Sequence, residues 1–191
     1  NSDSSTRDMF LKGMRRVIQT IIKEDNLNIS FNKGDTYFDN KALYQFSIPT
    51  NSKIYNDTYI ITLQALRLAG LLHDVGHLPF SHQVENALKK VYHNINNAYS
   101  LVQKEKEFKL IYENITSEET QVLHEAIGEN FIDILFNEEL IKNSESETDI
   151  DYLKLIHKLC MFILKEKTYS RFDFKVLHSI ISGTVDADRL D

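Results

Sequence analysis

Residues 71–88 read "LLHDVGHLPFSHQVENAL" and hold three of the seven histidines in a 191-residue chain, His73, His77 and His82. Asp74 follows His73 directly, at the end of a long apolar run. A carboxylate closing a buried helix must be hydrogen-bonded, protonated or bound to a cation. His73 supplies a nitrogen donor beside it. Gly76 and Pro79 break the helix here and let two consecutive side chains turn toward one point. A mixed imidazole and carboxylate set suits zinc, iron or manganese, and calcium less well. The plainer alternative is that His73 and Asp74 cap the helix and pair only with each other. On the dipeptide alone that alternative comes first.

The elements that must position these residues are helical. Only two prolines and six glycines interrupt the chain. "DMFLKGMRRVIQTIIKE" places Met14, Val17, Ile18, Ile21 and Ile22 on one side of a helix, with Ser-Ser-Thr before it as caps. From Asp25 to about Thr58 the composition turns to Asn, Asp, Ser, Tyr and Phe, with short alternating pieces around "NISF" and "YQFSI". This reads as an insertion with a β-hairpin. "YIITLQALRLAGLLHD" reads as a central buried helix, and "SHQVENALKKVYHNI" resumes helix after the break. "TSEETQVLHEAIGENFIDILF" has Thr116 or Ser117 as a cap and acidic residues in its first turn. "NEELIKNSESETD" reads as a polar loop. "DIDYLKLIHKLCMFILKEK" and "RFDFKVLHSIISG" read as two further amphipathic helices, the last ending at Gly183.

Composition bounds the rest. Apolar residues make up 42% and charged residues 26%, as in an ordinary globular domain. The formal charge of −6 argues against a surface dedicated to duplex nucleic acid, which needs a basic stripe. No apolar run approaches the length of a membrane span, and the N-terminus lacks a signal-peptide layout. The single cysteine, Cys160, lies in "IHKLCMFIL" and reads as a small buried hydrophobe. An intracellular, cytoplasmic protein is the expectation. The aromatic residues show no stacking-platform spacing, and most read as core. His93, His157 and His178 lie outside the motif and read as structural histidines.

"AGLLHDVGHLPFSH" resembles the signature of the HD-domain phosphohydrolases, and is especially similar to their deoxynucleoside triphosphate triphosphohydrolase branch. "SGTVDADRLD" is similar to a later family segment whose aspartate completes the metal site, here Asp188, and "VLHEAIGENFI" to a helix carrying a His-Glu pair, here His124-Glu125. The resemblance implies an all-α HD-domain helical bundle, a single domain over residues 1–191 with an insertion at about 25–58. It also implies a divalent metal (zinc, manganese, iron or magnesium) held by His73, Asp74 and Asp188. By the same resemblance His124 is the acid or base at the leaving oxygen and Glu85 orients it. Arg7, His77, His82 and Arg189 hold a nucleotide's phosphates. Homo-oligomers are common among such enzymes. They also continue past the position matching Asp191, so the chain reads as a piece of a longer one.

One position departs from the pattern. The family's metal site begins with a histidine, and in "TRDMFLKGM" Phe10 stands in its place, a side chain that cannot bind a metal. Two readings follow. The first is a metal-dependent nucleotide phosphohydrolase of the dNTP triphosphohydrolase type. The second is a degenerate HD module that binds a nucleotide or a protein without turnover. A phosphodiesterase acting on cyclic nucleotides or oligonucleotides fits "HLPFSH" less well. Phe10 is expected at the rim of the site, where His73, Asp74 and Asp188 converge.

Overall fold

The computed structural model describes residues 2–29, 56–80, 82–116 and 122–182. The described residues form seven α-helices and one two-stranded hairpin, so the all-α expectation holds. The helices are α1 (Ser2–Glu24), α2 (Asn56–Leu72), α3 (His82–Asn96), α4 (Gln103–Ile115), α5 (Leu123–Ile134), α6 (Glu147–Leu164) and α7 (Lys175–Ile181). The chain divides into two compact units, residues 1–70 with 136–191, and residues 71–135.

In the first unit α1 packs against α6 and the hairpin, and α6 against α7. Leu11, Met14, Val17, Ile18 and Ile21 repeat at three- and four-residue spacing along α1, and all are buried. Leu155, Leu159, Cys160 and Ile163 do the same on α6. Burial pushes the Cys160 thiol up to about 12, so it is an inert hydrophobe, as its apolar neighbours suggested. The Ser146 hydroxyl caps α6 by accepting from the Asp149 N–H. α2 is less enclosed than its composition suggests. Thr58, Ile61, Thr62, Ala65, Ala69 and Leu72 are buried along one face, while Leu71 is exposed.

Four boundaries differ from the sequence reading. α1 begins at Ser2, so the Ser-Ser-Thr run lies inside the helix and does not cap it. Residues 135–141 form a π-helical turn where a polar loop was expected, because buried Phe136 holds that turn to the core. "RFDF" is not helix. Thr168–Tyr169 (β1) and Phe172–Asp173 (β2) pair antiparallel across Ser170 and Arg171, which both have positive φ, as a tight hairpin turn requires. Thr116 does not start a helix but ends α4, its N–H donating to the Tyr112 carbonyl. The hairpin expected within about 25–58, Ser117 as a cap and Gly183 as a helix end lie largely or wholly outside the described residues.

The second unit carries most of the motif residues. α3 packs against α4, and α4 against α5. α4 was not singled out in the sequence, since its surface is largely charged and it buries no residue fully. Tyr92 of α3 stacks on Tyr112 of α4 with ring centroids 4.3 Å apart, and Lys109 donates to the Asn96 side chain at 2.7 Å. The turn after α2 lies against α5 backbone to backbone. A Cβ at Gly76 would stand 1.9 Å from the His124 carbonyl oxygen and 2.4 Å from the Gly128 nitrogen. Only glycine permits that approach.

The reverse position is not constrained. A Cβ at Gly128 would stand 3.5 Å from its nearest neighbour, the Gly76 nitrogen, which is ordinary contact. Gly76→Ala is therefore expected to lower stability by about 3 kcal/mol or more, because backbone cannot move aside as a side chain can. Gly128→Ala should lie within about 1 kcal/mol of the parent, with helix propensity favouring Ala. Urea unfolding of both variants checks the difference. Equal destabilisation would contradict this packing.

Candidate active site

α2 stops at Leu72, and the next residues turn. The Val75 N–H donates to the Leu72 carbonyl at 3.2 Å and the His77 N–H to the Asp74 carbonyl at 3.0 Å. This turn brings an imidazole to each oxygen of Asp74. His73 Nε2 stands 3.0 Å from Oδ2 and His77 Nε2 stands 3.2 Å from Oδ1. Nitrogen and carboxylate oxygen attract at such distances through an imidazole N–H or through a shared metal ion. Two donors about 2.1 Å from one ion, at a right angle, stand about 3.0 Å apart. His73 and Asp74 thus fit one edge of a metal's coordination sphere. They fit the plainer alternative, a hydrogen-bonded pair, equally well.

Eleven residues beyond Asp74, a second polar cluster is built around one carboxylate. Glu85 lies in the first turn of α3 and is only 4% exposed. Its Oε1 accepts from the Leu123 N–H at 3.0 Å and from Lys89 Nζ at 3.0 Å. Its Oε2 pairs with His124 Nδ1 at 2.9 Å, with His82 Nδ1 farther off at 3.6 Å. Burial pushes the Glu85 carboxyl up, but hydrogen bonds from His124, Lys89 and the Leu123 N–H, with the charge of Lys89, hold it down at about 2. An ionised carboxylate only accepts, so the proton in the pair sits on His124 Nδ1, and Nε2 is left for other work.

Glu85 also solves a local problem of α5. The N-cap residue Val122 has no side chain able to accept from the first turn. Glu85 supplies that acceptor from α3 through Leu123, and its charge suits the positive end of the α5 dipole. His124 is the next residue. One carboxylate therefore starts the helix and orients the imidazole at its start.

Two more imidazoles gather at this pair. His77 stacks on His124 with centroids 4.2 Å apart at 18°, and His82 meets both edge-on, at 5.5 Å and 5.6 Å. His73, Asp74, His77, His82, Glu85 and His124 thus belong to one compact unit. Arg7 and Phe10 lie on α1 in the other unit, and Asp188 and Arg189 lie outside the described residues. Phe10 meets Phe172 of β2 edge-on at 5.4 Å. His157 stacks on Phe136, and His178 pairs with Glu166 at 2.8 Å, both as structural histidines.

Sequence reasoning missed Lys89. Its signal was local: Lys89 follows Glu85 by four residues, the spacing of an ion pair along a helix. His82, Glu85 and His124 each offer a ligand atom within 4.8 Å of the others and so form a possible metal group. Lys89 and the Leu123 N–H already occupy Oε1, however, and an ammonium 3.0 Å from the carboxylate repels a second cation. The trio suits proton handling better than metal binding.

Because the Glu85 carboxyl titrates near 2 when folded and at 4.5 ordinarily, its stabilisation is fully present above pH 4.5. That stabilisation is lost as pH falls toward 2. Glu85→Gln is expected to cost on the order of 2–3 kcal/mol at pH 7. The gap between parent and variant should narrow steadily on acidification to pH 3. Urea unfolding at pH 7, 4.5 and 3 measures this, and a gap constant with pH would contradict the anionic pairing.

No curated protein and no solved structure matches the chain. The family model of the HD domain matches residues 53–156, just over half of the chain. The matched stretch includes the His73-Asp74 turn, His77, His82, Glu85 and His124, and leaves Arg7, Phe10, Asp188 and Arg189 outside it. The His-Asp turn and the match over these residues agree, and the chain belongs to the HD domain family.

Proposed function

We propose that the protein is a metal-dependent phosphohydrolase acting on nucleoside triphosphates, of the dNTP triphosphohydrolase type. HD-domain membership and the His73–Asp74 pair, whose spacing fits one edge of a metal's coordination sphere, support the metal-dependent phosphohydrolase class. The observation that carries the reading further is the Glu85–His124 pair, fixed in the same unit as the His73–Asp74 turn.

His73 and Asp74 would hold the divalent ion, with Asp188 joining them by resemblance. When bound, that ion supplies Lewis-acid polarisation and lowers the pKa of a coordinated water. The chain's own residues do the rest. His77 and His82 lie beside His124 and offer imidazoles to phosphate oxygens. Glu85 holds His124 with Nδ1 protonated, so that Nε2 can carry a proton to the leaving oxygen. In the overall reaction a water oxygen bonds to the α-phosphorus and the bond from phosphorus to the sugar 5′ oxygen breaks. The 5′ oxygen takes the proton from His124, and nucleoside and triphosphate leave. The proton lost by the water restores His124.

Phe10 favours a second reading, a degenerate HD module that binds without turnover. Its ring is engaged in aromatic packing on Phe172, which in turn meets Phe174 at 5.0 Å. A position committed to an apolar row supplies no ligand.

Hydrolysis of dGTP with added manganese, measured as triphosphate release by the full-length protein, decides between them. Asp74→Ala should abolish turnover, since both a donor atom and a charge are lost. His124→Ala should slow it by about 10²–10⁴-fold while leaving metal binding intact. Binding of dGTP without metal-dependent release would establish the degenerate module. Phe10→His should raise zinc or manganese affinity if this position faces the His73–Asp74 site. Equal affinities would make Phe10 a packing residue only.

A further inference from the structure

Phe80 carries two costs at once. It lies in the chain between His77 and His82, and its φ is +62°, a left-handed conformation rare for a bulky side chain. Such a backbone costs on the order of 1–3 kcal/mol and persists where function rewards it. Its ring is also 82% exposed, although most aromatic residues of the chain were expected in the core. Asn or Gly would satisfy the same turn, in which the Phe80 carbonyl accepts from the Gln83 N–H at 3.1 Å, without strain and without an apolar ring in water. Neither the turn nor the core accounts for a phenylalanine here.

We propose that Phe80 is a stacking platform for the base of the nucleotide, and so a specificity residue of the site. This rests on the nucleotide reading given above. The argument is one of position and chemistry. Phe80 is three residues from His77 and two from His82, and these imidazoles flank His124. A ligand whose phosphates reach those nitrogens places the rest of its body within reach of the same loop. A planar π-face is the chemistry that an exposed phenyl ring recognises, and every nucleobase has one. The platform tolerates base identity while rejecting a bare polyphosphate.

These 191 residues contain no tryptophan, so Phe80→Trp adds a fluorescent reporter at the platform, read against the unsubstituted protein as background. Tyr99→Trp serves as the control. It is fully exposed and lies beyond the far end of the 15-residue α3, about 20 Å along that helix from His82. Full-length protein is titrated with dGTP and with inorganic triphosphate. dGTP should quench the reporter at position 80 and leave the one at position 99 unchanged, and triphosphate should quench neither. By calorimetry, Phe80→Ala should weaken dGTP about 10-fold or more and leave triphosphate unaffected. Phe80→Asn should lose the same affinity yet unfold at the same or a higher urea concentration, since asparagine accepts the backbone.

Equal responses to dGTP and triphosphate, with both bound, would overturn the platform and leave the phosphohydrolase reading standing. Binding of neither would defeat both. A large loss of stability in Phe80→Asn would show that the ring packs and does not bind.

Discussion

The buried carboxylate of Glu85 is the constraint on which the site depends. Removing a charge from water is costly unless donors replace the lost hydration, and here three do. Oε1 takes a backbone N–H and an ammonium, and Oε2 takes an imidazole. The three donors come from α3 and from the start of α5, so satisfying the charge also sets the relation of those helices. The position of His124 follows from that requirement. A residue at 85 with no acceptor would leave α5 without its cap and His124 without its tautomer.

A second constraint is steric. Gly76 ends the turn that begins with His73 and Asp74, and it touches the backbone on either side of the α5 turn holding His124 and Gly128. Electrostatics fixes α5 against α3, and close approach fixes the His-Asp turn against α5. The two together place the His77 ring on the His124 ring. Histidines separated by 47 positions become neighbours in this way.

In the other unit, aromatic packing holds the residue that stands where the resembling family has a histidine. Phe10 joins Phe172 and Phe174 in an edge-to-face row, and Phe174 continues it to Phe162 at 5.4 Å. Edge-to-face contacts of this kind add to the burial of the rings. A histidine at position 10 would exchange that packing for a donor nitrogen.

The sequence by itself determined the helical class, the buried faces of α1 and α6, and the candidate residues of the His-Asp segment. Those properties are local: apolar spacing of three and four, and a run of imidazoles beside a carboxylate, can be read without knowing what lies opposite. Its errors were at boundaries. Thr116 looked like a helix start because it precedes acidic residues, yet its N–H was already committed to the Tyr112 carbonyl of the helix before. The "RFDF" segment looked helical, but Ser170 and Arg171 adopt positive φ and fold it into a hairpin. The resemblance set Glu85 to orient His124, but only the tertiary structure revealed that it also caps α5 through the Leu123 N–H, 38 positions away. It alone revealed that Gly76 is required by a backbone in another helix, and that Phe80 faces water. Contacts between distant residues depend on how elements meet, and no spacing along one element encodes that.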